Sequence, residues 1–114
     1  MEYTEVTPDE FAATEGVDDW TVVGTEIHAT FRGATYLVGA ELVKTIAEIA
    51  EADQHHPDME IRYPGRVHVL LTTHATGGLT TLDVDVARKI SAAATAAGAV
   101  AEDIAPKRTA TGRG

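Results

Sequence analysis

Apolar residues recur along this chain in two rhythms, and the switches between them mark out its elements. From Tyr36 to Asp53, the residues Leu42, Val43, Ile46, Ile49 and Ala50 fall at spacings of three and four, with Glu41, Lys44, Glu48 and Glu51 between them. That is the stripe of an amphipathic helix. The same period returns from Thr80 to Ala97, with Leu82, Val86, Ile90 and Ala93 or Ala94 inward and Gly98 as a stop. Elsewhere the period is two. Ile27, Ala29 and Phe31 alternate with His28, Thr30 and Arg32. Met59, Ile61 and Tyr63 alternate with Glu60 and Arg62. Val67, Val69 and Leu71 face one way, and His68, Leu70, Thr72 and His74 the other. A turn at Gly24 or Thr25-Glu26 splits the stretch from Trp20 to Arg32 into a hairpin. Pro64-Gly65 joins the second pair of strands. Near the start, Thr7 caps a short helix, Pro8 suits its first position and Glu10 closes a capping box; the helix stops by Gly16.

The order α-ββ-α-ββ-α predicts an α+β fold. It is a single domain over 1–105, a four-stranded antiparallel sheet with helices packed on one face. The other face is partly wet, and the sheet edges are open to another subunit. The segment 106–114 has nothing apolar to bury and is expected to be a disordered tail.

Composition narrows the chemistry. A chain of 114 residues supports one modest core. It has no cysteine, which removes disulfides, thiolate nucleophiles, iron–sulfur clusters and cysteine zinc sites together. The net charge is −9 and the basic residues are scattered along the sequence, so direct nucleic-acid binding is not expected. No apolar run is long enough to span a membrane, and Met1 to Glu5 does not resemble a signal peptide. The cytoplasm is the expected location.

Three histidines stand out. His55 and His56 precede Pro57, which biases His56 away from helical geometry and so places both on the exit of the long helix. In a hairpin from Met59 to Thr73, the end of the second strand returns to the start of the first. His74 is therefore expected beside His56 and Pro57. Imidazoles titrate near neutrality, and three of them together form a proton-transfer apparatus. Each residue also has a purely structural reading. The histidine pair suits a helix C-terminus, Asp83 suits a capping box with Thr80, and Glu51 a solvated helix face. His28 and His68 read as ordinary sheet-face residues and Trp20 as core. No metal is expected, because adjacent histidines rarely converge on one ion and the spacings H-x3-H and HExxH are missing. Ser91 is the only serine and lies far from the histidines, which argues against a nucleophile triad. Gly77-Gly78 lacks the spacing and lysine of a phosphate loop.

Taken in order, Glu51-x3-His55-His56-Pro57-x5-Tyr63, then Val67-His68-Val69-x2-Thr72-Thr73-His74, then Gly77-Gly78-Leu79-x3-Asp83, resembles the pterin-4a-carbinolamine dehydratases. Weaker matches at Trp20, Ile27, Phe31, Ala47 and Ala50 extend the likeness over nearly all of 7–98. Three departures stand out: one extra residue in the Pro64-Gly65-Arg66 turn, Met59 where an aromatic is usual, and Gly33 in place of another aromatic. The resemblance implies dehydration of 4a-hydroxytetrahydropterin to quinonoid dihydropterin in tetrahydrobiopterin recycling, with no cofactor. It implies catalytic roles for His55, His56 and His74: His55 and His74 as the acid/base pair, His56 to orient the pterin. It implies substrate-binding roles for Glu51, Pro57, Thr73 and Asp83. It further implies a homodimer or homotetramer and an aromatic amino-acid hydroxylase as pathway partner. Relatives of the same fold serve instead as dimerisation cofactors or assembly chaperones. Chaperone-type relatives commonly lose the site histidines; this chain keeps all three.

Overall fold

The structure, a computed structural model, describes residues 3–103. The expected disordered tail and the last residues of the expected domain lie outside that range. The elements run β1 (Glu5–Val6), α1 (Pro8–Ala12), β2 (Thr21–Val23), β3 (Glu26–Arg32), α2 (Tyr36–Asp53), β4 (Asp58–Arg62), β5 (Arg66–Leu71), β6 (Leu79–Thr80), α3 (Thr81–Ala96) and β7 (Val100–Glu102). The helix–hairpin–helix–hairpin–helix order is present, and the short strands β1, β6 and β7 add to it. The fold is α+β, with an antiparallel sheet and three helices.

Local chemistry sets the boundaries. The Thr7 hydroxyl accepts the Glu10 N–H at 3.0 Å, and the Glu10 carboxylate accepts the Thr7 N–H at 2.9 Å, so α1 opens on a reciprocal cap. Thr35 caps α2 through Val38 N–H. Gln54, in the left-handed region at φ 53°, ends α2. The chain then leaves at an angle that sends His55 to Pro57 toward β4.

The sheet runs β2-β3-β5-β4, all antiparallel. The expected four strands become five. β2 pairs with the first part of β3 (Val22↔Ile27) and β7 with the last part of the same edge (Thr30↔Glu102). Ile27, Ala29, Phe31, Val67, Val69 and Leu71 form the inner face, clustered with Leu42 and Ile46 of α2 and Val86 and Ile90 of α3. Trp20 belongs to this core. Its ring meets Phe31 edge-on at 6.2 Å, and its indole N–H donates to Ser91 Oγ at 3.0 Å.

The β4–β5 ladder is continuous from Arg62↔Arg66 to Asp58↔Leu70. The turn is therefore Tyr63-Pro64-Gly65, with a cis Tyr63–Pro64 peptide, and Arg66, expected in the turn, already pairs in β5; an extra residue in this turn shifts no strand residue to the wrong face. That turn lies on the approach to α2. A Cβ on Gly65 would fall 2.5 Å from the Thr35 carbonyl oxygen.

The outer face carries two arrangements that the linear sequence hides. Arg62, Arg66 and Arg32 are direct cross-strand neighbours on β4, β5 and β3. Glu102 takes Arg66 at 2.7 Å and Arg32 at 3.7 Å, and Glu60 takes Arg62 at 3.0 Å. Beside them, His28 Nδ1 and His68 Nε2 lie 2.9 Å apart. The outer nitrogens reach Glu26 at 3.1 Å and Thr30 Oγ1 at 2.8 Å. The ring centroids are 5.1 Å apart, close to that N···N distance plus two ring radii, so the nitrogens meet head-on. This is a hydrogen bond between imidazoles rather than two ligands converging on one ion. His28 and His68 are thus tied to each other across strands, which is more than ordinary sheet-face residues would be.

Candidate active site

The β4–β5 hairpin sets the site. Asp58 pairs with Leu70, so His55, His56 and Pro57 enter the hairpin at the end where Thr72, Thr73 and His74 leave it. β5 stops at Leu71, however. Thr73 forms an isolated bridge with Gly78, and His74 opens the turn between them rather than ending a strand. That turn is closed by Gly77 N–H donating to Thr73 O at 3.1 Å and to His74 O at 3.2 Å.

The three histidines occupy unlike settings. His55 is buried, and its Nε2 lies 2.7 Å from Asp83 Oδ1. His56 is exposed, and its Nε2 meets Glu51 Oε2 at 2.7 Å. The two residues are neighbours in sequence but face different partners, which the turn out of α2 at Gln54 makes possible. His74 is exposed, and its ring makes no hydrogen bond among the described residues. Pro57 is half-buried between the pair and β4.

Asp83 is the best-held side chain of the set, with no exposed surface. Its Oδ1 faces His55. Its Oδ2 accepts the Thr73 hydroxyl at 2.7 Å and the Thr80 backbone N–H at 2.8 Å. The second bond is the capping-box contact read from the sequence, and the same carboxylate also serves His55. The sequence offered Asp83 as a capping-box acid or a substrate-binding residue; its contact with His55 was not foreseen, because spacing shows neither burial nor which residues the fold brings together. Thr73, also buried, reaches Asp83 rather than open space. Thr80 was not among the expected site residues, yet it has no exposed surface and lies 2.8 Å from Thr73 Oγ1. Its position in the Gly77-Gly78-Leu79-Thr80 run, three residues before Asp83, was the available signal.

Chemically, this end of the sheet offers one imidazole held by a buried carboxylate, one exposed imidazole paired with an exposed carboxylate, and one exposed imidazole with no hydrogen-bond partner among the described residues. Such a set can give and take protons at more than one position on a bound molecule. Among the described residues, no group of three or more His, Asp or Glu side chains is arranged to hold a metal ion. A cavity of about 420 Å³ lined by Asp18, Asp19, His28, Thr30 and Glu102 lies by the edge of β3, away from these histidines.

Comparison with known proteins adds an independent line. Residues 4–93 match the family model described as pterin 4 alpha carbinolamine dehydratase. A Nocardia farcinica protein named "Putative pterin-4-alpha-carbinolamine dehydratase" is 43% identical over 89 residues, covering 76% of this chain and 93% of that protein. A Chloroflexus aurantiacus protein of the same name is 46% identical over 72 residues, 63% of this chain and 76% of the other. Among solved structures, the "transcriptional coactivator/pterin dehydratase" of Brucella melitensis superposes with a TM-score of 0.72 at 32% identity, over 79% of this chain and 98% of that one.

Proposed function

The chain belongs to the pterin-4a-carbinolamine dehydratase family, and from that premise we propose that it is a lyase that removes water from 4a-hydroxytetrahydropterin. The observation that carries this reading is the His55–Asp83 pair, buried at the hairpin end where His56 and His74 also stand. The reaction asks for little else. The C4a–O bond breaks as the N5 lone pair forms the C4a=N5 double bond. One group protonates the departing hydroxyl, which leaves as water, and another removes the N5 proton. The product is quinonoid dihydropterin. Each proton transfer by a placed imidazole contributes roughly 10²–10⁴-fold. In this reading His55 and His74 exchange protons with the substrate. His56, steadied by Glu51, orients the pterin, and Pro57 shapes the floor beside it. The intermediate comes from a tetrahydropterin-dependent hydroxylase acting on an aromatic amino acid, so the enzyme belongs to pterin recycling, in the cytoplasm. A homodimer or homotetramer is part of the same reading, because among the described residues β4 pairs only with β5 and leaves its other edge open. Stopped-flow absorbance with freshly generated 4a-hydroxytetrahydropterin tests it. Wild-type protein accelerates formation of the quinonoid product; decay at the buffer rate at micromolar protein would refute it.

A second reading, a protein-binding module, draws support from the Brucella protein, which is named a transcriptional coactivator as well as a pterin dehydratase. In that role the histidines are dispensable. Rescue of a deletion phenotype by a His55→Ala/His74→Ala chain would favour the module, and failure of that rescue would favour the enzyme.

A further inference from the structure

The hydroxyls of Thr73 and Thr80 stand between the N-terminus of α3 and Asp83, and the direction of every proton in that chain can be assigned. The Thr73 hydroxyl donates to Asp83 Oδ2 at 2.7 Å. Its single proton is then used, so across the 2.8 Å contact with Thr80 Oγ1 it accepts, and Thr80 donates. Thr80 Oγ1 in turn accepts the Leu82 N–H at 3.1 Å, one of the donors a helix start leaves free. The Thr80 N–H completes the set on Asp83 Oδ2 at 2.8 Å. All proton direction therefore runs from the first turn of α3 into one carboxylate oxygen. Thr80 and Asp83 are fully buried and Thr73 nearly so, so bulk water is not at hand to replace these donors.

With Oδ2 filled by two donors, Oδ1 remains as an acceptor, and the atom facing it at 2.7 Å is His55 Nε2. We infer that Thr73 and Thr80 are positioning residues that fix the tautomer of His55. Nε2 keeps its proton on Asp83, and Nδ1 becomes the nitrogen that gives or takes a proton. The effect on turnover rests on the dehydratase reading; the tautomer does not.

β1 extends this support. It pairs Val6 with Leu79 and Glu5 with Thr80, and Thr81 N–H donates to Thr4 O at 2.9 Å. The chain start thereby holds the residue before α3 in the extended conformation its cap requires.

The test uses full-length protein carrying ¹⁵N-labelled histidine. In wild type, the His55 ring nitrogens report protonated Nε2 and unprotonated Nδ1, with a slowly exchanging Nε2 proton coupled to Asp83. Thr73→Val, which keeps shape and loses the hydroxyl, mixes the tautomers and speeds exchange of that proton. It also lowers kcat about 10–100-fold with little change in KM, and Thr73→Ser restores both. Thr80→Ser is neutral, while Thr80→Val behaves like Thr73→Val. A wild-type His55 protonated on Nδ1, or a folded Thr73→Val with an unchanged tautomer, overturns the inference. If wild type does not turn over substrate, the tautomer measurement still decides it, so the two failures are told apart.

Discussion

His55 and His56 show how adjacent side chains of one type come to differ. One is buried on Asp83 and the other exposed on Glu51. Truncating them should therefore have unlike consequences. His56→Ala removes an exposed pair of the kind that contributes little to stability, so its melting temperature should stay within about 3 °C of wild type. Asp83→Asn should behave otherwise. The amide keeps the shape but presents a donor among three donors, leaving buried N–H or O–H groups unmatched. A loss of about 2–4 kcal/mol by urea unfolding is expected, together with at least a 100-fold loss of kcat. An Asp83→Asn protein as stable as wild type would mean that the three contacts to this carboxylate are not formed in solution. Thr80 was missed at this scale for a plain reason. A threonine before a helix reads as a cap, and its second contact, to Thr73, depends on a turn that brings residues 73 and 80 together.

At the scale of elements, the long helices and the two hairpins were legible because their apolar periods are sustained. α2 spans the residues its stripe marked out. β1, β6 and β7 were not legible. Two or three residues carry no period, and β7 exists because the edge of β3 beyond β2 was left unpaired. β7 also brings Glu102 to the arginine row. Like charges directly opposite one another destabilise a sheet, and Glu102 offsets two of the three. Glu102→Gln should thus cost about 1 kcal/mol in urea at low salt, and the deficit should shrink above roughly 0.5 M salt as screening shortens. The β4–β5 turn gives a sterically based counterpart. Gly65→Ala forces a Cβ against the Thr35 carbonyl and should lower stability by about 1–3 kcal/mol, independent of salt.

Over the whole molecule, the site depends on segments far apart in the chain. Residues 4–6 support the start of α3, α3 supplies Asp83, Asp83 holds His55, and the β4–β5 hairpin returns Thr73 and His74 to the same end. The return of His74 to the His55-His56 end was legible from hairpin logic. Its place in a turn was not, because Thr72 and Thr73 suit a strand and only the bridge of Thr73 to Gly78 ends it. The match to the family model spans these segments, from residue 4 to residue 93. The claim that these histidines form a dehydratase site is tested most directly by one comparison. Wild type and His55→Ala/His74→Ala, both shown to be folded, are mixed with freshly generated 4a-hydroxytetrahydropterin in a stopped-flow spectrometer. The account predicts rapid formation of the quinonoid product with wild type and the buffer rate with the double variant. Equal acceleration by both proteins would contradict it.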